Sequence, residues 1–324
     1  MTNAIDRFFD GKRCLVTGGA GFLGSHVVER LLNAESDVVV LDNMLTGKRS
    51  NLEAALRSER LRIVEGDVRD YETVADLVSK ADFVFHLAAT VVASSIEDPI
   101  RDMETNVRGT LNVLSAAKNN PVSKIVYASS ASVYGNGRYL PMHEDDPVNP
   151  LSPYAVSKLA GEHYSKVYFE DFEVQTVCLR YFNVYGPRQS DKFGYGGVFS
   201  IFANKVIHGE CPVIFGDGTQ TRDFLEISDA VEATLAAAGY ERATGEVINV
   251  GTGIEVSVND LACAFLKYSG LDAEPRHSDR RKVDNVRRRV ANIERARRLL
   301  GYEPQVTLKE GLKRVIQFYR DNSH

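Results

Sequence analysis

The stretch Arg13-Cys-Leu-Val-Thr-Gly-Gly-Ala-Gly-Phe-Leu-Gly24 restricts the fold more than any other part of the chain. A short apolar, β-branched run ends in clustered glycines. Phe22, Leu23, Val27, Val28, Leu31 and Leu32 then recur at helical spacing. Strand, glycine turn and helix is the setting in which Gly-x-Gly-x-x-Gly carries meaning. Gly19, Gly21 and Gly24 fill that pattern, and Gly18 extends it upstream. Such a turn is tight, lets a pyrophosphate approach the backbone, and packs a helix close to a strand. The free N–H groups and positive dipole end of the helix face the phosphates.

Asp37-Val-Val-Val-Leu41 reads as a buried strand with Asp42 at its end. A carboxylate there, ~20 residues after the glycines, can accept from an adenosine ribose diol and would repel a 2′-phosphate. The pattern therefore favours NAD over NADP. Further strands are expected at Leu61–Glu65, Phe83–Leu87, Lys124–Ala128 and Val174–Arg180, alternating with helices at Tyr71–Ser79, Pro99–Lys118 and Pro153–Phe169. This alternation predicts an α/β fold with a doubly wound parallel sheet. After about Tyr181 the chain breaks into shorter elements, with helices at Val198–Ile207 and Ser228–Ala238. The division expected is 1–181 for the dinucleotide and mainly 182–324 for substrate. Val247–Val250 would be a strand returning to the main sheet.

Composition adds exclusions. No apolar run reaches the ~20 residues that span a bilayer, so no membrane partner is expected. Cys14, Cys178, Cys211 and Cys263 are scattered without metal-type spacing. They fit a reduced, cytoplasmic setting and no metal site. A net charge of −5 argues against nucleic acid.

The strongest catalytic signal is Ser152-Pro-Tyr-Ala-Val-Ser-Lys158. Pro153 suits the first turn of a helix, on which Tyr154 and Lys158 share a face. A nearby ammonium would favour the phenolate and draw the tyrosine pKa down from ~10. Such a tyrosine can take a proton from a sugar hydroxyl and return it. Upstream, Val126-Tyr-Ala-Ser-Ser-Ala-Ser-Val-Tyr134 runs a strand into a serine-rich loop. Ser130 would point at the same site, with Ser129 and Ser132 as alternatives. At the end of the third strand Asp67 could accept from an adenine amino group, or be a solvated turn residue. His86 reads as a packed, hydrogen-bonded histidine rather than an acid–base group.

Together, Gly18–Gly24, Asp42, Ser129-Ser130 and Tyr154-x-x-x-Lys158 resemble the extended short-chain dehydrogenase/reductase superfamily, nearest to nucleotide-sugar 4-epimerases of the UDP-glucose type. The likeness extends to Arg180-Tyr-Phe-Asn-Val-Tyr-Gly-Pro-Arg188, Phe215–Phe224, Asn249–Gly253 and Arg298–Tyr302. It implies a Rossmann-type sheet with a smaller C-terminal α/β domain for substrate. It also implies NAD held by Gly18, Gly21, Phe22, Leu23, Asp42, Asn43, Asp67, Val68, Leu87, Ala88, Ala89, Asn106, Tyr154 and Lys158. Asn106 would support the active-site strands; a helix-surface asparagine is the competing reading. Tyr154 would be the base, Lys158 would bind nicotinamide ribose, and Ser130 would bond the substrate O4. Asn183 would meet a sugar-phosphate oxygen, and Arg222 the diphosphate.

The resemblance further implies C4 epimerisation of a nucleotide-diphosphate sugar through a 4-keto intermediate that turns over in the site. Where the superfamily's dehydratases and decarboxylases carry carboxylic acids, this chain has Ala131-Ser132. A decarboxylase or 4-ketoreductase of the same fold is the nearest rival, and a non-catalytic NAD sensor a distant one. Arg276–Arg289 departs from the family's usual pattern: Arg280 and Arg281 both compete for the second diphosphate contact, and Arg289 takes a place that limits sugar size. Homodimers through the helices Pro99–Lys118 and Pro153–Phe169 are the family expectation.

Overall fold

The computed structural model describes residues 2–189, 197–279 and 286–322. Arg280 and Arg281, and with them the choice of second diphosphate contact, lie outside the described residues.

Seven strands form the main sheet: β1 (Arg13–Thr17), β2 (Asp37–Asp42), β3 (Leu61–Glu65), β4 (Phe83–His86), β5 (Lys124–Ser130), β6 (Thr176–Tyr181) and β7 (Val247–Val250). Every pairing is parallel, in the order β7-β6-β5-β4-β1-β2-β3. β4 and β6 are buried at every position, as helices on both faces require. The returning strand pairs Val247–Val250 with Cys178–Tyr181.

One face is covered by α1 (Thr2–Phe9), α2 (Phe22–Asn33) and α9 (Ile227–Gly239). The other carries α3 (Tyr71–Val78), α6 (Gly109–Asn119) and α7 (Pro153–Phe172). A separate aromatic core joins α8 (Val198–Ile207), α10 (Val258–Ser269) and α12 (Leu308–Asp321), with Tyr185 stacked on Phe199 at 3.7 Å. α11 (Glu294–Leu300) packs against β7.

The expected single helix over Pro99–Lys118 is not one helix. α4 (Val92–Glu97) precedes α5 (Pro99–Met103), and a π-turn at Glu104–Arg108 separates α5 from α6. Apolar spacing cannot reveal a π-turn, because one inserted residue only rotates the stripe. This turn swings Asn106 inward, where it is 1% exposed. It is not the helix-surface asparagine of the competing sequence reading. All four cysteines are free thiols.

Candidate active site

Ligands of open parallel sheets bind outside the carboxyl ends of the strands, where the strand order reverses. Here that point lies between β1 and β4, and the glycine loop sits on it. Gly18 has φ +69°, and a Cβ there would lie 2.7 Å from the Ala88 nitrogen. Its own N–H donates to the Leu41 carbonyl at 2.8 Å, and the Gly21 N–H donates to the Gly18 carbonyl at 3.0 Å. A Cβ on Gly24 would fall 2.1 Å from the Gly18 oxygen, so α2 can approach the loop this closely only through glycine. Gly21 caps α2 without a side chain, leaving its first N–H groups to face an incoming anion. Phe22 and Leu23 open that helix, half-buried.

Asp42 ends β2, 7% exposed, and accepts from the Ala20 and Met44 N–H groups, both at 2.9 Å. Burial raises its pKa, against these two hydrogen bonds. Asn43 donates to Asp67 at 2.8 Å. Asp67 is half-buried in a turn, where the Arg69 N–H and guanidinium donate to its oxygens at 2.9 to 3.0 Å. Against burial, the hydrogen bonds from Arg69 and Asn43 hold its carboxyl down to about 2. Val68 is buried under Gly109. Leu87, Ala88 and Ala89 follow β4, the first two donating their N–H groups to the Thr17 carbonyl and hydroxyl. His86 bridges Thr17 Oγ1 at 2.8 Å and Thr110 Oγ1 at 3.0 Å. Burial, with the charge of Lys158, takes its pKa down to about 3, so it is the packed neutral histidine expected.

α7 starts with Ser152 accepting from the Ala155 N–H at 3.2 Å and Pro153 in the first turn. Tyr154 and Lys158 face the end of β5. The phenol and Ser130 line the same cleft, and the Ser130 oxygen accepts from the Ser132 N–H at 3.1 Å and hydroxyl at 2.9 Å. Ser129 turns the other way, onto Glu162. Alternation along β5 thus brings Ser130, not Ser129, to Tyr154.

One expectation is overturned. Burial pushes the Tyr154 phenol up to about 12, opposed by Ser130 and reinforced by Asp102, and Lys158 does not draw it down. The ammonium is turned onto the Ala128 carbonyl at 2.8 Å, with Nζ 5.8 Å from the Tyr154 ring centre. Burial lowers Lys158 to about 8, against the pull of Asp102 and Glu162. Helical spacing put the two side chains on one face but could not report how dry that face is.

Behind this pair lies a hub that motif reading missed. Asp102, fully buried, accepts from Thr90 Oγ1, from Asn106 Nδ2 at 2.8 Å and from Ser157 Oγ at 2.5 Å. Asn106 Oδ1 in turn accepts from the Thr90 N–H at 2.9 Å. The only sequence signal was Asp102 four residues before Asn106.

A cleft of about 550 Å³ opens in front of Tyr154 and Ser130. Asn183, Arg222 and Arg289 line it, as do Arg287 and Asp217. Asn183 Oδ1 is buried without a hydrogen-bond partner. It is an acceptor suited to a ligand hydroxyl, whereas a phosphate oxygen would need the donor side of that amide. Arg222 and Arg289 are 7% and 8% exposed. Thr221 and Asp223 donate their N–H groups to the Arg287 and Arg289 carbonyls, laying the second arginine strip beside the first. Among the described lining residues three arginines face one carboxylate, Asp217, which itself pairs with Arg287 at 3.0 Å. Such a cleft suits an anionic ligand.

The model of the NAD-dependent epimerase/dehydratase family matches residues 14–251. The chain is 42% identical over 316 residues to a putative UDP-glucose 4-epimerase of Methanocaldococcus jannaschii, covering 95% of this chain and 99% of that one. Its fold matches that of UDP-glucose 4-epimerase from Thermotoga maritima, solved with UDP-glucose, at a TM-score of 0.90, with 37% identity and coverage of 95% and 99%. It also matches UDP-glucuronic acid 4-epimerase from Bacillus cereus, solved with UDP-glucuronic acid and NAD, at a TM-score of 0.88, with 34% identity and the same coverage. On its motifs, its fold and these matches, the chain belongs to the NAD-dependent epimerase/dehydratase family.

Proposed function

We propose that this chain is an NAD-dependent epimerase inverting C4 of a nucleotide-diphosphate hexose, with UDP-glucose/UDP-galactose or their N-acetyl or uronic relatives as the leading substrates. The observation that carries the reading is the convergence of Tyr154 and Ser130 on one cleft lined by Arg222, Arg287 and Arg289.

The residues fit a dinucleotide: Gly18, at positive φ and packed against the Ala88 backbone, keeps the turn tight, and the uncapped start of α2 offers N–H groups to a pyrophosphate. Asp42 stands where a ribose diol would be read. When bound, NAD⁺ supplies the acceptor and later the donor of the hydride, together with a positively charged ring. Tyr154, in its ionised form, takes the proton from the 4-hydroxyl and gives it back, while Ser130 holds O4 by a hydrogen bond. Lys158, anchored on the Ala128 carbonyl, supplies positive charge and a donor for ribose hydroxyls. Arg222 holds the diphosphate, and Arg289, Arg280 or Arg281 are the candidates to complete its grip. Asn183 accepts from a sugar hydroxyl. Residues 1–181 with 247–250 form the cofactor half and the rest mainly the substrate half.

Simple C4 chemistry is favoured over dehydration or decarboxylation, because Ala131 is buried and Ser132 is spent on Ser130 where an extra acid would be needed. Incubation with UDP-glucose and UDP-glucuronate, without added cofactor, tests the reading. It predicts interconversion with the 4-epimers, no CO₂ and no accumulation of NADH. Release of CO₂ or of a net oxidised sugar would refute it.

The same reading includes a homodimer. α4, α5 and α7 lie side by side and expose Ile96, Ile100, Met103, Val156, Tyr164 and Val167, with Ile100 65% and Val156 54% exposed. An apolar face of this kind is what a second copy would cover. Sedimentation of wild type against Ile100→Glu, which should give monomer, tests it.

A further inference from the structure

Asp223 stands behind the arginine-lined cleft, fully buried, between the short strands Thr221–Arg222 and Phe224–Glu226. Its main chain joins two of the cleft residues. The N–H donates to the Arg289 carbonyl at 2.9 Å, and the carbonyl accepts from the Asn183 N–H at 3.1 Å. Its chain neighbour is Arg222, which lines the cleft. Asn183, Arg222 and Arg289 therefore all hang from this one residue.

The side chain reaches two further segments. Oδ1 accepts from the Thr252 N–H at 2.8 Å and hydroxyl at 2.6 Å. Oδ2 accepts from the Gly253 N–H at 2.9 Å and the Ala291 N–H at 3.2 Å. The close approach depends on a glycine: a Cβ on Gly251 would lie 2.7 Å from Oδ2 and 2.8 Å from the Ala291 Cβ. A buried carboxylate is costly unless its lone pairs are filled. Four donors fill this one, from stretches far apart in the sequence. An apolar side chain would avoid that cost, but it could not tie these stretches together.

A guanidinium fork grips phosphate oxygens well only when it is set to within about 0.5 Å. Resting on the proposed epimerase function, we propose that Asp223 is a positioning residue whose carboxylate clasps loop 252–253 to strip 289–291, and so sets Arg222 and Arg289 at the spacing that grips the substrate diphosphate. Among the described residues its hydrogen bonds reach neither Tyr154, nor Ser130, nor the glycine loop. Its loss should weaken anion binding and leave the proton transfer and the cofactor in place. In kinetic terms KM rises while kcat holds. A residue that only supports the fold would instead lower kcat and NAD retention.

The test compares Asp223→Ser, whose short hydroxyl cannot span the four donors, with Gly251→Ala, whose methyl wedges the carboxylate from Ala291. Thr252→Val, which removes one donor and keeps the carboxylate on Ala291, is the control. Two measurements are made on the full chain saturated with NAD⁺: calorimetric binding of inorganic pyrophosphate, and KM and kcat for UDP-glucose. Arg222→Ala marks the pyrophosphate binding that belongs to the cleft. Asp223→Ser and Gly251→Ala should each weaken pyrophosphate binding and raise KM about tenfold, the scale of one hydrogen bond to a charged group. Their kcat should change by less than about twofold, with NAD retained. Thr252→Val should match wild type. Unchanged pyrophosphate binding in folded Asp223→Ser and Gly251→Ala would overturn the proposal, as would an equal loss in Thr252→Val, or a fall in kcat with KM unmoved. So would wild-type pyrophosphate binding that is absent or indifferent to Arg222→Ala, because there would be no grip to position. Failure of both variants to fold would assign Asp223 to structure alone. Absence of any sugar turnover in wild type would defeat the proposed function instead, and pyrophosphate binding would still decide this point.

Discussion

Replacing Glu162 with glutamine probes the most deeply buried ion pair described beside the site. The Glu162 and Arg180 side chains are 4% and 6% exposed, and two Arg180 nitrogens meet the carboxylate at 2.7 and 2.9 Å. The same carboxylate accepts from Ser129, next to Ser130. Glutamine keeps the shape, removes the charge, and sets an amide N–H₂ against a guanidinium or a hydroxyl. Breaking one side of a buried pair costs about 3–5 kcal/mol. Arg180 keeps the Glu144 carbonyl at 3.0 Å and the Tyr134 ring at 4.7 Å, which puts the cost nearer the lower figure. For a chain of 324 residues the unfolding entropy is roughly 0.7 kcal/mol/K, so the melting temperature should fall by roughly 4–5 °C. Calorimetry at low and high salt is the assay, because a buried pair is poorly screened and the loss should persist in salt. Glu162→Met with Arg180→Met should recover most of it, since an apolar pair needs no counter-charge. A fall below about 1 °C in Glu162→Gln, or one that vanishes in salt, would refute the reasoning, since that is the behaviour of a solvated surface pair.

The other predictions are shorter. Tyr154→Phe should reduce turnover by at least ~10²-fold while NAD stays bound, because only the proton carrier is removed; full activity would sink the assignment of the base. Gly24→Ala should abolish retention of NAD, read from absorbance of the purified protein, because its Cβ would lie 2.1 Å from the Gly18 oxygen. His86 is held neutral in the fold, its pKa lowered to about 3 by burial and by Lys158. The unfolded chain therefore binds more protons, and stability is lost as pH falls from the unfolded value of ~6.5 toward about 3. His86→Gln should flatten that part of a denaturant-midpoint profile; an unchanged slope would place the loss elsewhere.

The chain's local patterns fixed a good deal. Glycine turns, β-branched runs and a proline at the start of α7 are short-range signals. They located the cofactor loop, Asp42, all seven strands of the main sheet and the Tyr154–Lys158 face within a residue or two. What they could not carry was anything set by long-range burial. Tyr154 and Lys158 share a face in any helix, yet their charge states depend on how dry that face is. Ser129 and Ser130 look alike in sequence, and only pleating of β5 against α7 sends one to Glu162 and the other to Tyr154. The π-turn at Glu104–Arg108 leaves an apolar stripe nearly intact, so only the folded backbone showed Asn106 turned inward. Sequence chose the elements because propensity and periodicity are local; tertiary structure chose the electrostatics because desolvation and charge pairing are made between segments distant along the chain.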